Sequence, residues 1–300
     1  VGVTTLYETA SGRINAIEFE SKKPASDTLL CIHGFFCDAR IFTYIGDKLS
    51  TEGYNVVSID LPGHGMSDGK EGDLDFDVCI KSIHQIVEQL KKKSARVFIV
   101  AHSLGCIFAL WYAHLFRASI DGLVLLSPSV RVPNIKKRFD AEPKALEFLL
   151  MLLARIIVPH KLVDITEAFP IHVKAGGDEV AWMMKDPVVN FRYSYRFLVD
   201  ILATKSGKVS ELSEVGDIPI LILHGKKDRL MYFQVSEEFF KLLHTSAIKE
   251  IKIFDCDHWF YDAIFYNQSF SKHSEESRMQ IVSSIANWLK SHAIMRMDKK

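Results

Sequence analysis

Ile99-Val100-Ala101-His102-Ser103-Leu104-Gly105 is the stretch that decides the fold. The run Val97 to Ala101 has the character of a buried strand, Leu104 to Phe116 that of a strongly apolar helix, and a serine stands in the turn between them. Ala101 and Gly105 sit two residues before and two after it. A serine that projects from a sharp, strained strand-to-helix turn needs small residues at those places, because bulky ones collide with the neighbouring strand and helix. The helix that follows aims its free N-terminal amides at the site and favours developing negative charge. The plainer alternative is a serine N-cap on an ordinary strand–helix unit. Glycine usually stands where this chain has Ala101; alanine keeps the position small but adds a Cβ.

Outward from this turn the chain alternates short apolar runs with longer amphipathic ones. Ile14–Phe19, Thr28–Ile32, Val56–Ile59, Leu123–Leu126, Ile220–Leu223 and Ile248–Phe254 read as strands. Phe42–Leu49, Phe76–Lys91, Ser236–Leu243 and Ser277–His292 read as helices. Continuously apolar strands between helices imply an α/β fold, with a parallel sheet covered on both faces. Such sheets take ligands at the carboxyl ends of their strands, so the informative residues should follow strands. Residues 128–217 break the rhythm. They show helical runs at Lys144–Ile157, Glu179–Lys185 and Val189–Leu202 and no convincing strand, and Gly176-Gly177 reads as a turn. The segment is expected to form a helical cap inserted into a core made of 1–127 and 218–300.

An alcohol nucleophile needs a base, and the base needs an orienting carboxylate. Leu221 to Leu223 leads through His224-Gly225-Lys226-Lys227 to Asp228, and Ile253-Phe254 leads through Asp255-Cys256-Asp257 to His258. Both lie just past strand ends, on the rim that bears Ser103. The order serine, acid, histidine suits the strand-turn-helix serine. Asp255 and Asp257 are nearer His258 in sequence, but loop neighbours rarely face one another. Asp228 is therefore the expected acid, and Asp257 is left to the loop and its local field.

A negatively charged oxygen in the transition state needs backbone donors at ~3 Å. The amides of Leu104 and of Phe35, in His33-Gly34-Phe35-Phe36 after an early strand, are the expected pair. Gly34 permits the turn that points the Phe35 amide inward. Asp60-Leu61-Pro62-Gly63-His64-Gly65-Met66-Ser67 follows another strand and reads as a tight structural turn. His33, His64, His102 and His224 share no metal-ligand spacing and no HExxH occurs, so no metal is expected.

Composition is that of an ordinary soluble globular protein. The chain has 300 residues, 48% hydrophobic and 25% charged, and its 37 basic side chains balance 37 acidic ones. A neutral balance argues against nucleic acid as partner. Lys91-Lys92-Lys93 ends an amphipathic helix and reads as a solvated turn suited to the helix dipole. The cysteines number five, an odd count with no CxxC, which fits a reducing, cytoplasmic compartment. The first thirty residues show no signal-peptide pattern. No apolar run reaches the ~20 residues that span a bilayer. The nearest, Leu146 to Val158, carries Glu147 and Arg155; core packing is its first reading and an interfacial helix its second.

Taken together, His33-Gly34-Phe35, the Asp60–Ser67 turn, Ala101–Gly105, Ile218–Asp228 and His258 make the chain resemble the α/β hydrolases, in the carboxylesterase and monoacylglycerol-lipase-like branch. The resemblance covers nearly the whole chain. It implies a mostly parallel eight-stranded sheet and acyl-enzyme chemistry on Ser103 without a cofactor. Phe36 departs from the small residue common in relatives, so a different bend of that loop is expected.

The substrate implied is a small ester with an uncharged, apolar acyl chain of short to medium length. A monoacylglycerol is a reasonable member of that class. Phe36, His102, Trp182 and Met183 are the expected substrate-side residues. A thioesterase, an acyltransferase or a carbon–carbon hydrolase would use the same three residues; the last needs a cationic anchor, for which Arg40, Arg131 and Arg192 are candidates. A non-catalytic binding protein on this fold is the different-class alternative. The sequence does not define an oligomeric state.

Overall fold

The computed structural model of the chain describes residues 2–24, 27–117, 119–135, 145–168, 180–181, 183–205, 208–245, 248–260 and 275–294. Of the expected helix over Glu179–Lys185, residues 180, 181 and 183 are helical and 184–185 form a turn, while Glu179, Trp182 and Gly176-Gly177 lie outside the described residues.

Eight strands form one sheet. They are β1 (Val3–Thr9), β2 (Gly12–Phe19), β3 (Asp27–Ile32), β4 (Asn55–Ile59), β5 (Arg96–His102), β6 (Gly122–Leu126), β9 (Ile220–Gly225) and β10 (Lys249–Phe254), and their spatial order is β1-β2-β4-β3-β5-β6-β9-β10. All pairings from β4 to β10 are parallel, while β1–β2 and β2–β4 are antiparallel. The central strands are buried along their whole length because helices cover the sheet. Ala101 pairs with Ile32 on one side and Leu125 on the other, in the regular ladder, so its Cβ fits where glycine is usual.

β1 is a strand that the hydrophobic pattern does not announce. Only Tyr7 along it is buried, so no alternation marks it; pairing with β2 across a tight turn makes it an edge strand. The helices α1 (Thr43–Glu52), α2 (Phe76–Lys91) and α3 (Gly105–Leu115) follow the expected runs. α2 starts where Asp75 accepts hydrogen bonds from the amides of Asp77 and Val78, at 3.0 and 3.1 Å.

Between β6 and β9 runs α4 (Ala145–Ile157), which packs on the short helix Tyr195–Val199. Here the expectation of no strand is corrected. β7 (Leu162–Asp164) and β8 (Arg192–Ser194) pair antiparallel, with Val163 opposite Tyr193. Three-residue strands carry too little periodicity to be read locally, and β8 replaces the first turn of the helix expected over Val189–Leu202. The Ser194 amide donates to Gly72 O at 2.9 Å and Arg196 pairs with Asp75 at 3.0 Å, fixing this segment to the core.

Candidate active site

Ser103 stands between the end of β5 and the start of α3 with φ +52°, the left-handed region that L-residues other than glycine seldom occupy. Close packing forces the bend. A Cβ at Gly105 would lie 2.3 Å from Ile32 O and 2.6 Å from His33 O, so only glycine lets α3 start this near β3. At Gly34 a Cβ would meet the Ser103 Cβ at 3.0 Å, which brings the loop after β3 against the serine. Ser103 is half-buried, and its hydroxyl has no hydrogen-bond partner among the described residues.

Asp228 and His258 meet. His258 Nδ1 donates to Asp228 Oδ2 at 2.6 Å. The same oxygen accepts from Ser127 Oγ at 2.9 Å and lies 3.1 Å from His224 Nε2. Oδ1 accepts from the amides of Leu230 and Met231, at 2.9 and 2.7 Å. Burial by itself would raise this carboxyl's pKa. The charge of His258 and the hydrogen bonds from His224 and His258 outweigh burial and hold it below the ordinary carboxylate range. Asp228 therefore carries its charge in the interior, satisfied on both oxygens. Because His258 Nδ1 holds the proton on the Asp228 side, Nε2 is the basic nitrogen of the neutral ring.

The other acids near His258 are placed differently. Asp255 is exposed and pairs with Lys227 at 2.9 Å, and Asp257 accepts from the Trp259 amide at 2.9 Å.

Two supporting residues escape sequence reading. His224 donates from Nε2 to Met231 O at 2.8 Å, and its Nδ1 accepts from Ser236 Oγ at 2.6 Å. Ser127, at φ +47°, ends β6 beside β9. The available signal was a polar residue just past an apolar strand on the rim that bears Ser103; their shared partner appears only in three dimensions.

The amides of Phe35 and Leu104 are not spent on any hydrogen bond among the described residues. The loop carrying Phe35 is braced by His33, whose Nε2 accepts from the Leu61 amide at 3.0 Å and whose Nδ1–H donates to Gly34 O at 2.8 Å. Burial lowers the pKa of His33, in keeping with this neutral form. Asp60 ties the following turn together, accepting from Ala39 N, Asn15 Nδ2 and Met66 N at 2.6, 2.8 and 2.8 Å. Phe36 does bend unusually, at φ +56°, and its ring stacks on Phe191 at 5.2 Å.

His102 is 1% exposed, and its Nε2–H donates to His258 O at 3.2 Å. It is set beneath the base rather than open to a ligand, and burial, with the charge of His258 behind it, holds its pKa well below the ordinary histidine value. Met183 is likewise buried in the core. Arg40 is taken up by Asp38 at 2.6 Å and Asp186 at 3.0 Å, while Arg131 and Arg192 are exposed. Among the described residues no group of three His, Cys, Asp or Glu side chains could hold a metal ion.

A bent serine between strand and helix, with a buried Asp–His pair on two further strand ends, defines the α/β-hydrolase class. A model of the family described as serine aminopeptidase, S33, matches residues 23–258, and the chain belongs to that family of α/β hydrolases. A monoglyceride lipase homolog of Monkeypox virus is 25% identical over 252 residues, 82% of each chain. The monoacylglycerol lipase of Paleococcus ferrophilus superposes with TM-score 0.73 at 23% identity, covering 96% of this chain and 99% of the other. A soluble variant of monoglyceride lipase from Saccharomyces cerevisiae gives 0.78 at 19% identity, covering 97% and 96%. These structural likenesses show the α/β-hydrolase fold.

Proposed function

We propose that this hydrolase cleaves carboxylic esters with an uncharged apolar acyl chain, monoacylglycerols among them, through an acyl-enzyme on Ser103. The observation that carries the reading is the buried, charged Asp228 holding His258 Nδ1 at 2.6 Å, on the rim where Ser103 is bent out of its strand. His258 Nε2 takes the Ser103 proton as the oxygen attacks the ester carbonyl. The Phe35 and Leu104 amides hold the oxyanion, and His258 returns the proton to the leaving alcohol. Water, deprotonated by the same nitrogen, then frees the acid. No cofactor takes part.

Residues 128–217 act as the cap, and its apolar side chains favour an acyl chain over a charged substrate. The outward face of α4 is apolar: Leu146, Leu149, Leu150, Leu153, Ile156 and Ile157 are all exposed. Such a face suits contact with the lipid surface that supplies a monoacylglycerol. Among the described residues no helix is long and apolar enough to cross a membrane. The five cysteines are buried and unpaired, which supports a cytoplasmic site of action. Of the three candidate anchors for a carbon–carbon hydrolase, Arg40 is already taken, its guanidinium facing two carboxylates.

The test is a fluorophosphonate probe followed by a chain-length series of p-nitrophenyl esters and monoacylglycerols, with an amino-acid p-nitroanilide alongside. Ser103→Ala should abolish labelling and ester turnover while leaving the fold intact. Failure of the wild type to label would point to a binding protein, and turnover of the anilide alone would point to a peptidase.

A further inference from the structure

We propose that Tyr193, on the inserted segment, is a positioning residue for the oxyanion loop. The proposal rests on the hydrolase reading above and extends it: the segment over the core sets the geometry of one oxyanion donor. Phe36 holds φ +56°, where a residue with a Cβ is strained, so something outside the loop must keep it there. Its amide donates to the Tyr193 hydroxyl at 3.2 Å. That hydroxyl gives its own proton to Asn190 O at 3.2 Å, and its second lone pair faces His64 Nε2 at 3.2 Å. One buried oxygen thus receives the Phe36 N–H and the His64 N–H while donating to Asn190. Its acceptor capacity is full, which fixes its orientation.

The rings act in the same direction. Tyr193 meets Phe35 edge-on, with centroids 5.0 Å apart at 87°, and stacks on Phe197 at 5.7 Å. Phe36 stacks on Phe191. Both residues of the loop therefore lean on the chain from Phe191 to Phe197, and Ser194 N pins that chain to Gly72. A shift of β8 would be transmitted to the peptide that presents the Phe35 amide. Tyr193 touches no reacting atom; it acts through the loop.

Tyr193→Phe removes the hydroxyl and keeps the ring. With a short p-nitrophenyl ester, and rates normalised to the fluorophosphonate-titrated sites, kcat should fall by about ten- to a hundredfold. That is less than the ~10²–10³ cost of losing an oxyanion donor outright. KM should stay within about twofold, because the loss falls on the transition state. Binding of a trifluoromethyl ketone, which forms the tetrahedral adduct, should weaken by the same factor as kcat/KM. On a Phe36→Gly background, where the left-handed position costs little, the same substitution should lose less than on the wild type. An unchanged kcat, a loss confined to KM, or equal losses on both backgrounds would overturn the role of Tyr193. A wild type that neither labels nor turns over esters would instead overturn the hydrolase reading.

Discussion

Lowering the pH from about 7.5 to about 5.5 crosses the ordinary histidine pKa of ~6.5 and should destabilise the fold steeply. Burial, with the charge of His33 behind it, holds His64 well below that value; burial and then His258 do the same for His102. In the unfolded chain both rings take a proton near pH ~6.5, whereas in the folded chain neither does until the pH is far lower. Unfolding in this window therefore takes up about two protons, and stability falls as pH falls. Above the unfolded value both states are neutral and the effect vanishes. One proton corresponds to about 1.4 kcal/mol per pH unit, so two give a slope approaching about 2.7 kcal/mol per unit. Against a typical total stability of about 5–15 kcal/mol, that is a large share. The geometry explains the resistance at His102: its Nε2–H is on His258 O, and its buried Nδ1 has no partner among the described residues, so a second N–H would find no acceptor. His33 is lowered by burial and Asp60 beside it is raised by burial, so on unfolding one takes up a proton where the other releases one, and the pair stays out of the count. Urea unfolding at fixed ionic strength, at three pH values across the window, gives the slope. His102→Asn should lower it by about 1.4 kcal/mol per unit. A wild-type slope below one proton, or one indifferent to His102→Asn, would refute the reasoning.

Asp228→Asn should cut kcat by about 10³–10⁴, because the amide NH2 must face either His258 Nδ1, reversing its tautomer, or the Leu230 and Met231 amides, which are themselves donors. Asp255→Asn, on an exposed ion pair, should stay within about twofold in the same assay. Leu149→Ser with Leu153→Ser on the outward face of α4 should reduce sedimentation with phosphatidylcholine vesicles by about tenfold while sparing hydrolysis of a water-soluble ester. Unchanged sedimentation would return α4 to a purely structural role.

How much was legible in the sequence depended on range. The α/β alternation and the eventual places of Ser103, Asp228 and His258 are written in apolar runs that end in a polar residue. Each such run is a local signal, and the sheet brings the three ends together. β1 was not legible because an edge strand that buries only Tyr7 has no pattern of its own and exists through its partner. β7 and β8 were not legible because their pairing spans about thirty residues and each is too short to show a period. Tyr193 stands 157 positions from the Phe36 amide that it holds. His102 is expected on the substrate side, but it is buried, with its Nε2–H on His258 O, a contact that only the fold creates.

Burial and hydrogen bonding together decide which histidine can do chemistry. His33, His64 and His102 cluster near the site, yet burial holds all three below the ordinary histidine range, and each has a ring nitrogen committed to a fixed hydrogen bond. His224 faces Asp228 as His258 does, but both of its nitrogens are engaged, on Ser236 and on Met231 with Asp228. Only His258 joins a charged carboxylate on Nδ1 to an Nε2 without a hydrogen bond among the described residues. A proton arriving at that nitrogen is stabilised by a charge that the interior has already fixed in place, with four donors on it besides His258, so no reorganisation is needed when it arrives. Removing any one of those donors should lower the rate without touching a reacting atom, and Ser127→Ala, which deletes one hydroxyl and leaves the backbone in place, isolates that effect from the chemistry itself.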